Sequence, residues 1–159
     1  MSTKIDKRIV KYRVEKPGDK AQEKPAPAAE ARKESNVVWM HEKVERPEML
    51  LGSTYKIKTP VSDHAMYVTI NDIVLNEGTP HEQRRPFEIF INSKNLDHFQ
   101  WIVALTRIIS AVFRKGGDVT FLVEEMKAVF DPRGGYWQTG GKFMPSIIAE
   151  LGYVGEKHL

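Results

Sequence analysis

Midway along the chain the spacing of the apolar residues changes from two to three and four, and this change decides which folds are open to it. In TYKIKT (54–59) Tyr55, Ile57 and Thr59 alternate with Lys56 and Lys58, the pattern of a strand with one buried face. AMYVTINDIVL (65–75) is rich in β-branched and aromatic residues and closes on the turn-forming Asn76-Glu77-Gly78-Thr79-Pro80. PFEIFINS (86–93) sets Phe87, Ile89 and Ile91 against Glu88, Phe90 and Asn92. Phe87 and Phe90 have opposite parity, so one belongs in the core and the other nearer solvent. Three strands joined by short connections favour an antiparallel meander over βαβ crossovers.

From Leu96 to Lys115 the apolar residues Leu96, Phe99, Ile102, Val103, Leu105, Ile109, Val112 and Phe113 recur at helical steps. Asn95 is the expected N-cap, Gly116-Gly117 the end, and Trp101 is expected at the edge of the core. Asp118 opens a second helix, VTFLVEEMKAVF, with a stripe of Val119, Leu122, Val123, Met126 and Val129 that Asp131-Pro132 terminates. Glu124 and Glu125 are neighbours on that helix, so they point apart and form a solvated face, not a paired acid and base. Pro145 is expected at the first position of a third, glycine-interrupted helix in SIIAELGYVGEKHL. The expected class is α+β, a small antiparallel sheet covered by helices.

What precedes this body has another character. Residues 1–14 hold Lys4, Lys7, Arg8, Lys11 and Arg13 against Asp6, more than the whole net charge of +3, so the remainder is slightly acidic. This basic N-terminal arm could touch an anionic surface, although nucleic acid is not the expected partner. Residues 15–36 combine Ala, Pro, Lys and Glu without an aromatic or β-branched residue. That composition buries too little to offset the entropy of ordering and predicts a disordered, semi-stiff linker. VVWM within 37–45 reads as a short docking segment, and the globular domain is placed at 46–159.

With no cysteine in 159 residues, thiolate catalysis, cysteine zinc sites and dithiol redox chemistry are excluded. His41, His64, His81, His98 and His158 form no metal-ligand pair at short spacing, so exposed or partner-facing histidines are expected and no metal site is assigned. No nucleophile elbow of the GxSxG type occurs. The glycine doublets 116–117, 134–135 and 140–141 are more informative. In DPRGGYWQTGGKF they predict a mobile surface loop that presents Tyr136 and Trp137, with Arg133, to another protein; aromatics and arginine are the usual anchors of an interface. The same loop could instead cradle an anion, which leaves a stand-alone nucleotide- or nucleic-acid-binding module as the alternative. Arg84-Arg85 marks a second positive site for a partner. No catalytic residue is assigned. No apolar run is long enough for a membrane span, and a soluble, cytoplasmic protein is expected.

The strings RPEMLLGSTYKIKTPVSDHAMYVTINDIVL, RRPFEIFINSKN, HFQWIVALTRIISAVFRKGGDVTFLVEEMKAVFDPRGGYW and MPSIIAELGYVGEKHL resemble the C-terminal domain of adenosylcobalamin-dependent (class II) ribonucleotide reductases, often called the TSCPD domain. The resemblance covers about Arg46 to Leu159. In that family the domain is either fused behind the catalytic barrel or encoded as a separate small subunit, and the N-terminal arm and linker are more like the second form. It implies an accessory subunit of a ribonucleoside-diphosphate reductase, supporting formation of deoxyribonucleotides. Adenosylcobalamin, the thiyl-radical cysteine and the substrate would sit on the large catalytic subunit, and this chain would bind no cofactor. A thioredoxin-type reductant would be a partner only if a cysteine tail followed Leu159. Thr59-Pro60-Val61-Ser62-Asp63 is the nearest counterpart of the string that names the domain.

Overall fold

The computed structural model describes residues 37–159 apart from Leu96 and His98. The basic arm and the linker, and the two positions expected on the long helix, lie outside the described residues. Strands β1 (Leu51–Ile57), β2 (Met66–Leu75) and β3 (Gln83–Ser93) form an antiparallel sheet in that order, the meander expected from the alternation. In register, Tyr55 faces Val68 and Ile70 faces Ile89. Beyond that point the pairing shifts, since Asn71 faces Glu88 but Asp72 faces Pro86, which leaves Phe87 as the extra residue of a β-bulge. The bulge and the edge position of β3 explain how a strand tolerates Pro86. Phe87 is buried and Phe90 exposed, but the bulge sets Phe87 with Ile73 and Leu75 and apart from Ile89, so the contrast does not arise from simple alternation.

Two apolar clusters result. Ile57, Val68, Ile70 and Ile89 pack under the helices with Ile109, Phe113, Val119, Met126 and Leu151. Past the bulge, Ile73, Leu75 and Phe87 take contacts from Met40, Val44 and Leu50. The 37–45 segment thus docks on the sheet. Val38 exchanges hydrogen bonds with the side-chain amide of Asn76 at 2.8 and 2.9 Å. Arg46 donates both Nε and Nη2 to the Glu88 carboxylate at 3.0 and 2.9 Å, and Asn71 adds a third donor. The Arg46 guanidinium holds the Glu88 carboxyl below the usual carboxylate range.

Helix α1 (Phe99–Lys115) buries Thr106, Ile109, Ser110 and Phe113. Ser110 Oγ accepts the Ile89 N–H at 3.1 Å and donates to the Thr106 carbonyl at 2.7 Å, closing an outward group of the edge strand. The helix begins later than the apolar pattern suggests. Asn95 Oδ1 accepts from the Asp97 N–H at 2.9 Å, an Asx turn that precedes the helix. Phe99 and Val103 are exposed, and Trp101 is 70% exposed, not at the core edge. The reason is angular: Ser110 lies nine residues on, two and a half turns at about 3.6 residues per turn, so Trp101 points to the opposite side.

Gly116 and Gly117 end α1 at φ 84° and 79°. Helix α2 (Phe121–Lys127) is shorter than its apolar stripe, and Asp118 Oδ1 accepts the Thr120 N–H and hydroxyl ahead of it. After a two-stranded hairpin, β4 (Tyr136–Trp137) with β5 (Phe143–Met144), helix α3 (Ile147–His158) completes the fold. Its N-cap is Ser146, whose Oγ accepts the Ala149 N–H at 3.0 Å, so Pro145 precedes the cap instead of opening the first turn.

The glycines of α3 do not interrupt it. A Cβ on Gly152 would lie 2.9 Å from Lys127 Cγ, 3.0 Å from Lys127 N and 3.1 Å from Met126 Cβ, so the glycine is what lets α3 pack closely on α2. At Gly155 the nearest atom, Val123 Cγ2, stands at 3.4 Å, an ordinary contact. Gly155→Ala should therefore stabilise the domain by up to about 1 kcal/mol through helix propensity. Gly152→Ala should destabilise it by about 1–3 kcal/mol, the usual cost of overpacking. Denaturant midpoints of the two variants, which share a helix and a chemical change, provide the check.

Candidate functional site

The segment DPRGGYWQTGGKF, expected as a mobile loop, folds into a hairpin braced by several contacts. The Gln138 N–H donates to the Lys142 carbonyl at 2.8 Å, and Gly140 and Gly141 turn the chain at φ 102° and 82°. Gly135 carries no Cβ where the Met144 carbonyl crosses it. The Asp131 N–H donates to the Pro145 carbonyl at 3.0 Å, and Lys142 Nζ sits 3.3 Å from the centroid of the Tyr153 ring.

Alternation along β4 separates the two aromatic residues that were expected to act together. Tyr136 faces inward and is only 7% exposed, so it is a core residue and not a surface anchor. Its hydroxyl donates to Glu150, and Gln138, two residues on, donates from Nε2 to the other oxygen of that carboxylate. Burial pushes the Tyr136 phenol far above its usual range, and the charge of Glu150 adds to the shift. Trp137, between them, must point outward. It is 65% exposed and meets Phe143, its cross-strand neighbour, edge to face at 5.3 Å between ring centroids. Phe143 is exposed as well. The Arg133 side chain is 90% exposed beside them in sequence, and its own N–H and Nε both reach Asp131 Oδ1, at 2.9 and 3.4 Å.

Arg84 and Arg85 do not form one positive site. Adjacent strand residues point to opposite faces. Arg84 Nε pairs with Asp72 Oδ2 at 2.7 Å, while Arg85 Nη2 donates to the Gly117 carbonyl and clamps the turn between α1 and α2. Arg85 Nε is buried without a partner, so this residue is committed to the fold.

Arg84 instead belongs to a polar cluster that the residue pattern did not reveal. His158 Nε2 lies 2.9 Å from Asp72 Oδ1, and His158 Nδ1 lies 2.9 Å from the Tyr55 hydroxyl. With neutral imidazole the carboxylate accepts Nε2–H and Nδ1 accepts the phenol proton; imidazolium donates at both positions. His158 and Asp72 are both buried, which corrects the expectation of an exposed or partner-facing His158. The cluster ties the end of α3 to all three strands and floors a cleft of about 350 Å³ that Ser53, Arg84 and Pro86 also line. Only one local signal pointed to it, an aspartate sharing the parity of Val68 and Ile70 inside an apolar strand.

By fold the chain is an α+β domain, a three-stranded meander under helices with a braced hairpin that exposes an aromatic pair. The family model of the TSCPD domain matches residues 40–158, and the chain belongs to that family. TSCPD domains are found in ribonucleotide reductases. No match to the chain was found among curated proteins or among solved structures. Among the described residues no helix is long and apolar enough to cross a membrane.

The two aromatic positions of β4 should respond differently to substitution. Tyr136→Phe leaves Glu150 one donor short in a buried setting and should cost about 1–3 kcal/mol of stability. Trp137→Ala loses only an exposed edge-to-face contact and should cost no more than about 1.5 kcal/mol. Thermal or urea unfolding of both variants reads this difference.

Proposed function

We propose that this chain is an accessory subunit of an adenosylcobalamin-dependent ribonucleoside-diphosphate reductase, and that it works by binding and positioning. Membership of the TSCPD family supports the connection to ribonucleotide reduction. The chain has no cysteine, so it can supply neither a thiyl radical nor a dithiol, and those parts of the reaction fall to a large catalytic subunit that also holds the cobalamin. The observation that carries the binding role is the exposed Trp137–Phe143 pair on a hairpin fixed from beneath by Tyr136 and Glu150. An exposed tryptophan held in place loses little conformational freedom when covered, which is the property of an interface anchor. Arg133, exposed on the chain entering the same hairpin, gives the surface a cationic side.

The full chain should co-purify at fixed stoichiometry with the large subunit of a class II reductase and should alter its turnover of ribonucleotides. Trp137→Ala should weaken that complex by about 2–4 kcal/mol, the range of aromatic hot spots, while leaving the fold intact. Unchanged affinity for the large subunit in a folded Trp137→Ala variant would remove the hairpin from the interface. Failure of the wild-type chain to bind any such subunit would overturn the function.

A further inference from the structure

A second surface, unconnected with the hairpin and independent of the reductase reading, lies on the solvent side of α1. Trp101, Ala104, Ile108, Ala111 and Lys115 recur along it at steps of three and four, the repeat of a helix-pairing seam. All five are exposed, and Trp101 and Ile108 keep 70% and 62% of their surface in solvent. A single exposed aliphatic side chain is ordinary. A tryptophan and an isoleucine two turns apart on one stripe, with only alanine on that stripe between them, make a continuous apolar patch. We infer that this stripe is an interface between two copies of the chain, with their α1 helices packed antiparallel about a two-fold axis level with Thr106.

The sequence of the stripe selects this occupant. In the antiparallel alignment Trp101 of one copy falls against Ala111 of the other, and Ile108 against Ala104, large against small in every layer. The two-fold axis then repeats each layer, as an interface between identical surfaces requires. Beyond these layers, antiparallel packing brings Lys115, at the end of α1, near the start of the other copy's α1, where Asp97 is exposed in the preceding turn. Size and charge are thus both self-complementary along the helix. A parallel pair would set Trp101 on Trp101 and Lys115 on Lys115. The basic 1–14 arm has the same sign as Arg107 and Lys115, which opposes it as the occupant. Arg107 meets its own copy near the axis, at an exposed rim where salt screens the repulsion. The helix is about 25 Å long at about 1.5 Å per residue, so the strip is smaller than a standard interface of about 1,600 Å² and the dimer is a weak one.

Sedimentation of the full chain over a concentration series at physiological ionic strength, about 0.15 M, tests this. The wild type should associate to a dimer and no further, and Ile108→Glu should weaken association by about tenfold or more without lowering the melting temperature, since Ile108 is exposed. Asp97→Lys and Lys115→Glu should each weaken it severalfold by placing like charges opposite one another. An equimolar mixture of those two variants should restore the dimer, because each supplies the charge the other lacks. A chain that stays monomeric at all concentrations, or a dimer indifferent to Ile108→Glu, would overturn the interface. Loss with Ile108→Glu but no rescue on mixing would overturn the antiparallel alignment.

Discussion

The carboxylate of Glu150 lies inside the molecule, near the start of α3, and receives hydrogen bonds from Tyr136 on β4 and from Gln138 just beyond that strand. A buried carboxylate is costly unless its oxygens are matched, so the hairpin is held where both donors can reach it. The geometry of a strand does the rest. Residues at i and i+2 share a face, so fixing Tyr136 and Gln138 inward forces Trp137 outward, onto Phe143. The glycine doublets of the hairpin turn the chain and admit close backbone approach. The outward aim of the proposed docking surface therefore depends on a carboxylate on another element.

The opposite end of α3 repeats the device with other chemistry. His158 is set between Tyr55 and Asp72, and Asp72 also takes Arg84, so the helix C-terminus is wired to every strand of the sheet. Between the two polar anchors Leu151 and Gly152 are buried, and Gly152 allows contact with α2 that any side chain would obstruct. Polar groups at the ends fix the position of α3, and burial along its middle supplies the cohesion.

Much of the fold was legible because it depends on periodicity. Three strands and their order follow from alternation, and the helices follow from the switch to steps of three and four. The boundaries and faces of α1 were less legible, because a broad apolar pattern does not say which part of it meets a three-stranded sheet; Trp101, Phe99 and Val103 remain in solvent. The bulge at Phe87 could not be read, since an extra residue leaves both flanking runs alternating. The candidate site was half legible. Trp137 and Arg133 are exposed as expected, but Tyr136 turned inward because its partner Glu150 lies on the next helix, and no short-range pattern links them. The His158–Asp72 contact spans two ends of the domain and is set by tertiary packing alone.

The proposed docking surface depends on the hairpin being fixed in the free chain, before any partner covers it. Amide hydrogen exchange of the unliganded protein at the Gln138 N–H, which donates to the Lys142 carbonyl at 2.8 Å, tests that most directly. Protection within about tenfold of that at Leu151 in α3 is expected, since one cooperative unit holds both. Exchange at Gln138 as fast as in an unstructured peptide, with Leu151 still protected, would show the hairpin opening on its own and would contradict the claim.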